Sequence, residues 1–62
     1  MLDIYERRDI ERKIARLKDV RIQYGIVGMN ALTVESLERA ERVVARIDLK
    51  IEHLQDKLEG RA

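Results

Sequence analysis

The stretch Leu37–Leu58 reads LERAERVVARIDLKIEHLQDKL. Its apolar residues recur at Leu37, Ala40, Val44, Ile47, Ile51, Leu54 and Leu58, alternately three and four residues apart. In heptad terms Leu37, Val44, Ile51 and Leu58 occupy a, and Ala40, Ile47 and Leu54 occupy d. A helix holds such a stripe on one side only when a partner helix covers it. The second half of the chain is therefore a helix that must be paired.

The first half offers the partner. Ile10, Ile14, Leu17 and Tyr24 follow the same spacing, with Arg21 at the missing core position and Asp3 and Arg7 at the earlier ones. That spacing predicts a first helix over about residues 2–24, weaker toward its start. The segment YGIVGMNALT follows, over residues 24–33. Gly25 comes just after the last periodic residue and suits a left-handed helix-ending position, with Ile26 next to it able to touch Val20. Thr33 is a natural N-cap and Glu35 sits well in a first helical turn. Leu32 and Leu37 have the spacing of a hydrophobic staple around that cap. The expected layout is a connection over about 25–33 and a second helix over about 34–59. All 62 residues then form one all-α domain, an antiparallel two-helix hairpin.

The two seams also suggest a register. Pairing positions whose numbers sum to 61 sets Tyr24 on Leu37, Leu17 on Val44, Ile14 on Ile47 and Ile10 on Ile51. Arg21 then faces Ala40, and Val20 faces Val43. The same register brings Lys13 near Lys50, a like-charge cost of only tenths of a kcal/mol in solvent.

Composition narrows the class. Charged residues make up 40% of the chain and apolar ones 45%, with no Cys, Pro, Phe or Trp and a formal net charge of +1. Absence of cysteine removes disulfides and thiolate metal sites and suits a reducing compartment. No apolar run reaches the ~18–20 residues of a membrane span, and the start lacks the apolar core of a secretory signal. The expectation is a soluble, cytoplasmic chain with no membrane partner. A domain this small is usually short of core. Self-association into a homodimeric four-helix bundle is the economical remedy.

Two surfaces beyond the seam stand out. Val20, Ile26, Val27, Met29, Leu32 and Val43 cluster at the loop end. The first reading is a connection that folds back to plug the bundle; the second is docking onto another protein. Arg8, Arg12 and Arg16 recur every four residues on the first helix. They form a solvated ridge or, in the alternative, a set of phosphate contacts for RNA or DNA. Only Tyr5 accompanies them, so base stacking is poorly served.

Catalytic chemistry is thin. His53 is the single histidine and falls at a c position, read as surface. Three positions before it stands Lys50, so no Glu-x-x-His pair exists for a di-iron bundle. One histidine also leaves a zinc site short of ligands. Gly25 and Gly28 lack the preceding strand of a phosphate loop, and Ser36 has no neighbouring histidine. No cofactor, metal or catalytic residue is expected.

In length and layout the chain resembles the small plasmid RNA-binding hairpins that dimerise into four-helix bundles, though it shares no motif with them. Separately, Ile47-Asp48 followed by Ile51 is similar to the S-x-x-L-D-x-x-I core of the sporulation phosphatases that act on response regulators. Val44 stands here at the serine position, so no activity carries over. The functional expectation is a non-enzymatic interaction protein: a dimeric regulator, adaptor or inhibitor of another protein. The alternatives are a nucleic-acid-binding bundle and a purely structural oligomerisation subunit.

Overall fold

The first helix begins where Asp3 caps it. Asp3 is extended (φ −77°, ψ 172°) and its Oδ1 accepts the Glu6 N–H at 2.8 Å, satisfying one of the donors that a helix start leaves open. In this computed structural model, which describes residues 2–60, α1 runs Ile4–Met29 and α2 runs Val34–Glu59. The two pack along each other as a hairpin, with no strand among the described residues.

The start of α2 matches its sequence signal. Thr33 is extended and its hydroxyl oxygen accepts the Ser36 N–H at 3.1 Å while donating to Ser36 Oγ at 2.9 Å. Gly60 ends α2 in the left-handed region, at φ 74°, a conformation that costs glycine nothing sterically.

The connection differs from expectation. Helix α1 does not stop near Tyr24 but continues to Met29, so the link shrinks from residues 25–33 to Asn30–Thr33. Gly25 takes no left-handed conformation; it lies inside α1. Asn30 does the capping instead. Its backbone N–H donates to the carbonyls of Gly28 and Ile26, and its Nδ2 donates to Ile26 O at 2.9 Å. A glycine inside a helix costs roughly 0.5–1 kcal/mol relative to alanine. Continuing the ladder through Gly25 satisfies backbone groups that a nine-residue loop would have had to pair elsewhere.

The longer helix resets the register. An ideal Cβ on Gly28 would lie 3.5 Å from Ala40 Cβ, and Arg21 Nε lies 2.5 Å from Asp48 Oδ1. Those pairs sum to 68 and 69, seven and eight beyond the sum of 61 that the sequence suggested, a shift of about one heptad. Arg21 consequently meets Asp48 rather than Ala40. The same offset sets Tyr24 against Val44, Leu17 against Ile51, Ile14 against Leu54 and Ile10 against Leu58. It also carries the first turn of α2 past the end of α1.

The core is a single seam. Ile10, Ile14, Ile47 and Ile51 are buried together, with Leu2, Leu17, Val20, Val43, Leu54 and Leu58 packed against them; Ala40 is buried further toward the loop. No described side chain is sealed completely. The Cα extents are 46 × 17 × 10 Å and the radius of gyration is 14.2 Å. A compact domain of this length would have about 10.6 Å. Two helices side by side make one layer, open on both broad faces.

Candidate interaction surfaces

The seam residues named from the sequence separate into two groups. Ile10, Ile14, Ala40, Ile47 and Ile51 are buried, while Leu17, Val44, Leu54 and Leu58 are half-buried. Tyr24 and Leu37, at the loop end, remain 39% and 38% exposed. The last turn of α1 reaches Leu37, whose Cδ1 would lie 3.7 Å from a Cβ at Gly28, but the glycine there presents no side chain to cover it.

The loop pole is open. Ile26, Val27, Met29 and Leu32 are exposed, the last two at 87% and 98%. They do not fold back as a plug, since a four-residue link has no length to do so. Leu32 consequently makes no staple with Leu37. Val20 and Val43 belong to a different place: they are half-buried and pack on the isoleucine core. Val34, at 70% exposed, adds to the pole, while Ile22, at 61%, lies two turns further down α1. Ile22, Ile26 and Met29 are four and three residues apart on α1, so they share one face. The sequence spacing contained that stripe, but only a helix running to Met29 turns it from loop residues into a face.

The two broad faces differ in charge. On one, Leu17 and Leu54 form the bottom of a shallow, open hollow of ≈ 470 Å³ edged by Lys13, Arg16, Lys50 and His53. Its surface is almost wholly apolar, because the long basic side chains lend their aliphatic stems to the walls and keep their charged heads at the rim. No carboxylate lines it. Asp9 stands just outside, 3.2 Å from Lys13 Nζ, and shares an adjoining hollow with Arg12, Lys13 and Arg16. The opposite face mixes signs: Arg7, Glu11, Lys18, Gln55 and Glu59 surround Ile14 and Leu58, and Arg21 with Asp48 flanks Ile22 and Ile51. Arg7 also pairs with Glu11 at 3.8 Å.

The arginine ridge is exposed throughout, and Arg12 and Arg16 share their hollow with Asp9. Arg8 lies outside that hollow. His53 is exposed, as read, but it is gathered with Lys13 and Lys50 rather than standing alone. The proximity of Lys13 and Lys50 was visible in the sequence pairing as a like-charge cost; its meaning as one wall of a basic hollow was not.

No group of three or more His, Cys, Asp or Glu residues that could hold a metal occurs among the described residues. None of the described helices is long and apolar enough to cross a membrane. Comparison with protein-family models, curated proteins and solved structures finds no match to this chain. The class defined by the fold is a two-helix antiparallel hairpin with open apolar surface at one pole.

Proposed function

We propose that this chain is a non-enzymatic, cytoplasmic interaction protein that works as a homodimer and binds another protein through its loop pole. The observation that carries the reading is the exposed apolar group Ile26, Val27, Met29, Leu32 and Val34, concentrated at one end of the hairpin. Scattered apolar residues are ordinary on a surface; a contiguous group marks an interface.

Surface area supports self-association. The chain exposes 5419 Å², whereas a compact protein of its mass exposes about 4,200 Å². The surplus, about 1,200 Å² by that scaling, exceeds the ≈ 800 Å² that each partner gives up in an ordinary stable interface. Pairing two open layers into a four-helix bundle would absorb it.

The test replaces Val27 and Met29 by Ser. The expected result is loss of partner capture with helicity and oligomer mass unchanged, read by cross-linking, circular dichroism and sedimentation. If capture persists, the pole is not the binding surface. If instead the chain shifts RNA or DNA at ~50 mM salt, where phosphate contacts are strong, and alanines at Arg8, Arg12 and Arg16 remove the shift, nucleic-acid binding replaces this reading. A chain with no partner but its own copies is a structural oligomerisation subunit.

A further inference from the structure

We infer that the hollow between Leu17 and Leu54 is a second docking site, made for an acidic amphipathic helix that lies between α1 and α2. The inference rests on reading the chain as a protein-binding hairpin, but it concerns a broad face and not the pole. Its floor is apolar, and its walls are Lys13, Arg16, Lys50 and His53, drawn from both helices. A helix laid along that groove would set apolar residues on Leu17 and Leu54 and carboxylates on the basic rim. Val20 and Val43, half-buried on the same core, extend the floor toward the pole by helical periodicity.

Charge selects the occupant. A second copy related by a two-fold axis would bring Lys13, Arg16 and Lys50 against their own equivalents, and like charges across an interface are costly. The opposite face carries Arg7, Lys18 and Arg21 beside Glu11, Asp48 and Glu59. There a two-fold can set unlike charges together, so self-association falls to that face and leaves the basic groove free. The apolar floor favours a helix over nucleic acid, since Leu17 and Leu54 offer no ring for a base to stack on. The Lys13–Asp9 pair does not oppose this. Both side chains are about 60% exposed (60% and 63%), and such exposed pairs are weak enough to be exchanged for a carboxylate of the ligand.

Fluorescence anisotropy of a labelled synthetic helix, with leucines at heptad a and d spacing and glutamates elsewhere, tests the inference on the full chain. The helix should bind, and binding should weaken as salt rises from about 50 to about 200 mM, because exposed rim charges are screened. Lys13→Glu with Lys50→Glu should weaken it about tenfold or more, as expected for reversed rim charges. Lys13→Gln with Lys50→Gln should give a smaller loss in the same direction, and circular dichroism of both variants should match the parent. Two control helices should fail to bind: one with lysines replacing the glutamates, and one with serines replacing the leucines.

No binding of the acidic helix, or equal binding of the serine control, overturns the inference. So does tighter binding of an RNA oligonucleotide that is lost in the same lysine variants, or dissociation of the parent chain's own oligomer by the acidic helix, which would make this face the dimer contact. Failure here leaves capture at the pole intact, and the Val27 and Met29 variant judges that reading separately.

Discussion

Arg21 on α1 donates its Nε–H to Asp48 Oδ1 on α2 at 2.5 Å, joining the helices by charge beside the isoleucine seam. Each side chain is 49% exposed, so water competes for both. The expected coupling between Arg21→Ala and Asp48→Ala in a double-mutant cycle is about 0.2–1 kcal/mol, read from urea unfolding. It should shrink at about 1 M salt, where the screening length is only ~3 Å. A coupling indistinguishable from zero at low salt would mean that the contact adds nothing to stability.

Gly25 supplies a test of where α1 ends. It lies inside α1, and a Cβ there would meet nothing within 4 Å. Gly25→Ala should therefore stabilise the chain by about 0.5–1 kcal/mol, through helix propensity and a less flexible unfolded state. Had Gly25 ended the helix in the left-handed region, alanine would destabilise it. The sign of the change in urea midpoint decides between the two.

That glycine also shows what the sequence could and could not convey. The seam itself was legible, because Ile10, Ile14, Ala40, Ile47 and Ile51 lie where their spacing put them, and Thr33 caps as its chemistry demands. The register was not. Sliding α1 by seven residues moves every seam position onto another seam position, so apolar matching cannot separate a sum of 61 from one of 68. Only the link length chooses, and that depended on whether Gly25 or Asn30 ended the helix. Both residue types serve as helix ends, and the side-chain cap from Asn30 to Ile26 O could not be weighed against a glycine from spacing alone. The basic hollow was obscured for a related reason: Lys13, Arg16, Lys50 and His53 belong to one surface only once two helices are laid together.

Core and pole should respond differently to polar or truncating substitutions. Ile47 is 6% exposed within the buried cluster, whereas Leu32 is 98% exposed. Ile47→Ala should cost about 2–5 kcal/mol by removing packed methylenes and leaving a void. Leu32→Ser should stay within about 0.5 kcal/mol, as surface substitutions usually do. Thermal unfolding at fixed protein concentration measures both. A large loss from Leu32→Ser would show that the loop packs after all, against the hairpin or a second copy.

The register itself can be trapped covalently. An ideal Cβ at Gly28 would lie 3.5 Å from Ala40 Cβ, at the near edge of the ≈ 3.5–4.5 Å that a disulfide spans between its Cβ atoms. Gly28→Cys with Ala40→Cys should oxidise readily in air or with oxidised glutathione to an intramolecular bridge, detected as a mass loss of two hydrogen atoms and reversed by dithiothreitol. Closing a loop of that length should raise stability by about 3 kcal/mol in the chain-entropy estimate. In the register one heptad away, Ala40 would face Arg21, and Gly28 would sit about 10.5 Å further along the helix axis. No bridge could form there without unwinding a turn. Arg21→Cys with Ala40→Cys is the matching control and should stay reduced within one chain; if that pair closes and the other does not, the hairpin is set seven residues from where Gly28 and Ala40 place it.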